Sequence, residues 1–412
     1  MYKETKYCRI CRNDNLVLVM DIGEQALTGI FPKTRGESVM SGPVELVRCS
    51  GNNCCGLVQL RQSYDVGLMY GDNYGYRSGL NQSMVNHLTN KVQDILSKDI
   101  LMDGDLVIDI GSNDGTSLGV YPQGKYNLLG IDPSGEKFIT HYPPGVKLVP
   151  DFFSEKIVNE AAQGKKAKVI TSFSMFYDLE DPIAFAKEIE ACLDDNGIWV
   201  FEQSYLPAML MANSFDTICH EHLEFYSLKQ IDWITEKTGL KVIDVQFNDI
   251  NGGSFSITAA KMDSAFQPNL IQLNKIRSDE LALGLNKSQI YDEFKQRVEE
   301  ARVSLMTFLN EALVNKKTVY GLGASTKGNV LLQYFKINEN LVKKIGEVNE
   351  DKFGKFTPGS LIPMISESEL LALNPDYLLV LPWHFRPFFD NLSSLNGHTL
   401  VYPLPKFEIV TQ

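Results

Sequence analysis

The sequence predicts an α/β protein in which a small cysteine-rich module precedes two Rossmann-like units. Three observations carry that expectation. Apolar strand runs alternate with helical patterns from about residue 80 to 262, the alternation resumes at about 317, and five of the seven cysteines fall within the first 55 residues. Such alternation is what a parallel sheet covered by helices requires. With 412 residues the chain has room for two or three domains, and 44% hydrophobic against 22% charged residues suits large cores.

In the first zone, to about residue 75, Val44-Glu-Leu-Val-Arg48 is a strand candidate, and Cys8-Arg-Ile-Cys11 forms a C-x₂-C knuckle. Cys49, Cys54 and Cys55 follow, and four thiolates in tetrahedral array hold zinc with no open position, which makes such a site structural. A knuckle cysteine is usually followed by glycine, so Cys55, before Gly56, is favoured over Cys54 as the fourth ligand. Clustered cysteines without an apolar leader read as metal ligands rather than disulfides, and a cytoplasmic location is expected. The net charge of −12 and the lack of a basic patch argue against nucleic acid and anionic membrane surfaces as partners. No apolar run is long enough for a membrane span.

In the middle zone the strand candidates are Leu106–Ile110, Asn127–Asp132, Lys168–Ser172 and Gly197–Glu202. The first runs into Asp109-Ile-Gly111-Ser-Asn113-Asp114-Gly115, a small-residue turn that is expected to open a helix with free amide groups. Asp132, followed by Pro133, ends the second strand 23 residues beyond Asp109, where an acid can accept from both hydroxyls of a ribose. The turn lacks G-x-G-x-x-G spacing, and its acids would repel a pyrophosphate. They suit the ammonium of S-adenosylmethionine. Asp151 and Phe152 are placed to bracket the adenine, and Ser172 lies where the fourth strand meets the cofactor.

Phe215-Asp-Thr-Ile-Cys219-His220-Glu221-His222-Leu-Glu224-Phe-Tyr226 is the densest titratable cluster in the chain. In an extended segment His220 and His222 would share a side. No third metal ligand accompanies them, and the spacing is not H-E-x-x-H. A neutral histidine oriented by a neighbouring carboxylate suits general-base work near neutral pH.

Residues from about 268 to 315 read as helical, with Leu283, Ile290, Phe294, Val298, Val303 and Leu309 at helical spacing. Beyond them Lys317–Gly323, Lys344–Val348 and Tyr377–Pro382 are strand candidates. Gly321-Leu-Gly323-Ala-Ser325-Thr-Lys327-Gly328-Asn329 is a second glycine turn, without a Walker A pattern but suited to phosphate. Lys355, Trp383 and Arg386 could clamp a diphosphate and stack a base. An NAD-dependent oxidoreductase is disfavoured, because the third glycine is missing and Glu347 lies inside a strand run.

In combination and order, these residues resemble the sugar C-methyltransferases that act on nucleotide-linked 4-keto-deoxyhexoses, and the resemblance spans nearly the whole chain. It rests on the Cys8/Cys11/Cys49/Cys55 module, the Tyr74-Gly-Tyr76-Arg-Ser78-Gly79 segment, the first glycine turn, the His-Glu-His cluster, Gly252-Gly253-Ser254 and the second glycine turn. It implies a zinc module over 1–78, a class I methyltransferase domain over 79–265, and a helical linker with a Rossmann-like lobe over 266–412, the nucleotide sugar lying between the two larger domains.

It further implies His222 as base with Glu221 beside it, and Tyr74, Tyr76, Ser78, Tyr226 and Gly253 at the sugar. Ser325, Lys327 and Asn329 would lie at the nucleotide. Cys219 stands where some members carry an aromatic hydroxyl, a gap His220 could fill. The implied chemistry is removal of the C3 proton beside the 4-keto group, then methyl transfer from S-adenosylmethionine to the enolate carbon. O- or N-methylation of a similar sugar is the alternative. A monomer or weak homo-oligomer is expected.

Overall fold

A computed structural model describes residues 2–69 and 76–412. Its largest sheet has seven strands, in the order Leu240–Asn248, Ser254–Lys261, Leu193–Ser204, Ala167–Phe173, Leu106–Ile110, Asn127–Ile131 and Lys147–Val149. Ser254–Lys261 is antiparallel to both neighbours and the last five strands are parallel. Leu106–Ile110 is buried at every position, as a strand covered on both faces must be. Chain order reverses between Leu106–Ile110 and Ala167–Phe173, and at such a switch point the loops part to leave a crevice.

The C-terminal sheet has six strands, Met364–Ser366, Ile345–Glu347, Val319–Leu322, Tyr377–Val380, Thr399–Tyr402 and Glu408–Thr411, the last antiparallel. This is the doubly wound order, with its switch point between Val319–Leu322 and Tyr377–Val380. Leu270–Leu283 and Gln289–Val314 are the helices expected before it. Phe294, Val298 and Leu309 face inward with Ala301 and Leu305, but Val303 is exposed, because five residues beyond Val298 it stands about 140° around the helix from that stripe.

The cysteine module is not an appendage. Its four-stranded antiparallel sheet, Leu16–Ala26, Ser41–Cys49, Val58–Leu60 and Glu224–Phe225, takes its edge strand from the segment just after His222. Cys8, Cys49 and Cys55 belong to the same core as Trp199 and Phe201 of the large sheet. Among the described residues no helix is long and apolar enough to cross a membrane.

One expected element is absent. No α-helix follows the first glycine turn, which runs instead into the single 3₁₀ turn Leu118–Val120, whereas the second turn opens the helix Thr326–Tyr334 as expected.

Candidate active site

At the N-terminal module, the Sγ atoms of Cys8, Cys11, Cys49 and Cys55 lie within 4.8 Å of one another. Zinc–sulfur bonds of about 2.3 Å in a tetrahedron place sulfurs roughly 3.8 Å apart, so the four thiols fit that ion. Asn13 Nδ2 donates to Cys49 Sγ (3.2 Å) and the Leu57 amide to Cys55 Sγ (3.4 Å), donors that suit thiolates. Cys54 turns away, to the Gly51 carbonyl.

At the first glycine turn, Gly111 and Gly115 hold left-handed φ values of 70° and 76°. Asp132 accepts from the Asn113 amide (2.8 Å) through Oδ2 and from Ser134 through Oδ1. Asp109 is buried and accepts from Thr171 Oγ1 (2.6 Å), and burial pushes its carboxyl up to about 7. Among the described residues, Arg77, at 3.8 Å from Asp114, is the cation that reaches the turn's acids. Three acids, Asp109, Asp114 and Asp132, served mainly by neutral donors make this turn better suited to a cation than to a pyrophosphate. Pro133, Asp151 and Phe152 are exposed at the strand ends beside it. Ser172 is fully buried, its hydroxyl accepting from the Trp199 indole (3.0 Å) within the core, so it is not open to a cofactor.

The segment assigned to the sugar covers this turn. Asn113 Oδ1 accepts from the Ser78 amide and its Nδ2 donates to the Tyr76 carbonyl, while Asp114 accepts from the Gly79 amide. Tyr76 is exposed, and Tyr74 lies outside the described residues.

The histidine cluster is a turn rather than an extended segment, with the His222 amide bonded to the Cys219 carbonyl (3.1 Å). His220 and His222 therefore part company. His220 is fully buried, edge-on to Tyr64 of the cysteine module at 4.5 Å, and cannot polarise a ketone beside His222. His222 is half-buried against the Tyr177 ring. Its Nδ1 lies 2.8 Å from the Thr217 carbonyl, which only accepts, so Nδ1 carries the proton and Nε2 holds a lone pair. Burial and the charge of Lys327 bring its pKa down to about 4. The orienting group is thus a backbone carbonyl, not Glu221, whose carboxyl accepts from Thr28 Oγ1 (3.3 Å).

Tyr226 is fully buried, stacked on Phe176, and is core rather than a sugar contact. A Cβ on Gly253 would come within 2.5 Å of Ala208 Cβ, so that glycine serves close packing.

The second glycine turn differs from the expected phosphate cradle because its amides are taken. Glu347 accepts from the Ala324 amide (2.9 Å), and Ser325 caps the helix by accepting from the Gly328 amide (3.0 Å). Asn329 donates to the Thr28 carbonyl (2.8 Å). Lys327 leaves the turn and donates to the Asn251 carbonyl (2.6 Å). Lys355 is half-buried. Trp383 is buried and its indole donates to Asp216 (2.7 Å), so it does not stack a free base. Arg386 is held by Asp390 and Glu408 over the Tyr402 ring and has no spare charge for a diphosphate. Asp216 and Thr217 lie in the same Phe215–Tyr226 segment, and nothing in their residue types or spacing marks the parts they take.

Three family models match in succession: "Putative zinc binding domain" over residues 8–70, "Methyltransferase domain" over 84–245 and "C-methyltransferase C-terminal domain" over 249–405. The chain is 29% identical to the C-methyltransferase NovU of Streptomyces niveus across 98% of this chain and 96% of that one. Among solved structures, an S-adenosylmethionine-dependent methyltransferase from Clostridium acetobutylicum overlays with a TM-score of 0.33 at 12% identity, covering 43% of this chain and 92% of its own. A glycopeptide N-methyltransferase complexed with S-adenosylmethionine overlays at 0.32 and 10%, covering 42% and 93%.

Proposed function

Because the chain belongs to the S-adenosylmethionine-dependent C-methyltransferases, we propose that its acceptor is a nucleotide-linked 4-keto-deoxyhexose, methylated at C3 through an enolate with His222 as base. The observation that carries this reading is the locked His222 tautomer: Thr217 holds the Nδ1 proton and leaves Nε2 unprotonated in a site where burial keeps the ring neutral. Carbon methylation beside a ketone needs a base of this kind, because a C–H bond must be broken before carbon becomes nucleophilic. His222 Nε2 takes the C3 proton, the electron pair passes into the C3–C4 bond, and negative charge moves to the ketone oxygen. S-adenosylmethionine supplies an electrophilic methyl group.

In this reading Asp109, Gly111, Asn113, Gly115 and Asp132 hold the donor, and Asp151 and Phe152 border its base. The sugar lies between the unit over 79–265 and the lobe over 266–412, behind the zinc module over 1–78. The seam where Lys327 meets Asn251 and Trp383 meets Asp216 is the ground for placing it there. Tyr76, exposed beside the donor turn, borders the same space.

The test is mass spectrometry of freshly made 4-keto-6-deoxy nucleotide sugars incubated with the enzyme and donor in deuterated water. One added methyl with the donor present, and solvent deuterium at C3 of the unmethylated sugar when the donor is withheld, are expected, and His222→Ala should lose both. Methylation of a sugar without the ketone would point to oxygen or nitrogen as the acceptor atom.

A further inference from the structure

We propose that Trp383 and Asp216 are positioning residues for His222, so that the C-terminal lobe sets the aim of the base. This rests on the reading of His222 as base. The chain of contacts is short. The Trp383 indole donates to Asp216 Oδ2 at 2.7 Å, across 167 residues of sequence, and both side chains are buried. Asp216 lies in the 3₁₀ turn Phe215–Thr217, and the carbonyl of its neighbour Thr217 accepts from His222 Nδ1.

The same turn, and Asn213 just before it, dock on the lobe at two further points. Phe215 stacks on Phe335 with ring centroids 5.1 Å apart, and Asn213 Nδ2 donates to the Pro405 carbonyl (3.3 Å). The turn that fixes the tautomer of His222 is therefore held less by its own domain than by the one across the seam.

A buried carboxylate deprived of its donor seeks another or draws in water, and it moves to do so. Loss of the indole N–H thus shifts Asp216, and with it the Thr217 carbonyl one residue on. His222 then loses its fixed proton on Nδ1 and its fixed aim. A base misplaced by about 1 Å costs on the order of a hundredfold in rate. Donor affinity has no reason to change, because the donor turn belongs to the other switch point.

The test compares Trp383→Phe, Asp216→Asn and Asp216→Leu in the full chain. For Trp383→Phe we expect kcat and C3 deuterium exchange to fall together by about 10- to 100-fold, with KM for the sugar and donor affinity within about twofold. Nitrogen-15 NMR of the histidines should show the His222 proton shared between Nδ1 and Nε2, where the wild type holds it on Nδ1. Asp216→Asn keeps an acceptor oxygen for the indole and should retain most activity, while Asp216→Leu should match Trp383→Phe.

A folded Trp383→Phe with wild-type kcat and tautomer overturns the proposal, and so does a rise in KM alone, which would mean that Trp383 touches substrate. If Trp383→Phe does not fold, the two Asp216 variants decide: equal losses in both would overturn it. Failure of the base reading is distinct, since His222→Ala would then keep its C3 exchange.

Discussion

The two glycine turns are written alike in sequence and are finished differently in space. In each, an acid at the end of the second strand accepts from a turn amide: Asp132 from Asn113 and Glu347 from Ala324. At the first turn no α-helix follows and the acids are left largely without cations. At the second, Lys352 bonds both Glu347 and the Ala324 carbonyl, Ser325 closes the helix end, and Lys327 crosses the seam. A Cβ on Gly328 would meet Leu381 Cβ at 2.8 Å, so this glycine lets the next loop pack close. Both turns bond their polar groups within the protein, but among the described residues the first sets its three acids against a single cation, Arg77, whereas the second pairs its acid with Lys352.

The largest break in that comparison is removal of the metal site. Structural zinc contributes on the order of 10 kcal/mol or more to folding, and the two turns lean on the zinc module unequally. The helix of the second turn is tied to it by hydrogen bonds, Asn329 on Thr28 and Gln333 on Ala26, whereas, among the described residues, the strand before the first turn meets it only by sharing an apolar core with Cys8, Cys49 and Cys55. In Cys55→Ser, hydrogen exchange should rise more over residues 325–334 than over 106–115, where the inner strands of the seven-stranded sheet remain paired. Methyl transfer should fail while the donor still binds, because the Leu223 carbonyl beside His222 is held by the Leu60 amide of the module. Equal exchange at both turns would erase the distinction.

Next in size is the exchange of acids. Asp132→Ala should weaken donor binding by about 10- to 100-fold, the worth of a charge-assisted bond or two. Glu347→Ala should leave donor and sugar affinity within about twofold and lower thermal stability instead, since it strands Lys352. Calorimetric titration and a melting curve read both. A loss of sugar affinity in Glu347→Ala would reopen the second turn as a ligand site.

The sequence announced the strands, the four thiolates and the choice of Cys55, because buried parallel strands are continuous apolar runs and a metal site is a spacing pattern. It could not announce which turn is sealed. The sealing groups arrive from far along the chain: Glu347 and Lys352 lie beyond the turn they close, and the Asn251 carbonyl that draws Lys327 away carries no side-chain signature at all. The same blindness explains the misplaced partners of His222. Period-two reasoning assumed an extended segment, but the Cys219–His222 turn sends one histidine into the cysteine module and the other toward the seam.

Lys327→Met separates the two accounts of the second turn by a smaller effect. The charge of Lys327 helps to hold the His222 pKa below its ordinary value, at about 4. A lowered histidine pKa keeps the neutral, basic form down to that pH, and removing a neighbouring cation favours the protonated form. The acid limb of kcat/KM should therefore move to higher pH, with KM for the sugar little altered. A raised KM with an unmoved limb would instead place the ammonium on the diphosphate.

The smallest effect concerns the segment that covers the first turn. Gly79 donates its amide to Asp114, and a Cβ there would approach Asp114 Oδ2 to 2.7 Å. The obstacle is the end of a side chain rather than backbone, so Gly79→Ala should be accommodated by a small movement of Asp114. That movement disturbs the bonds from Thr116 to the same carboxylate and the Arg77 pair at its edge. A cost of about 0.5–1 kcal/mol fits a change that strains one contact without opening a cavity, and it corresponds to donor binding weakened about two- to fivefold. Unchanged donor affinity would mean that the Tyr76–Gly79 segment merely lies over the turn, and a loss near that of Asp132→Ala would make it part of the donor site.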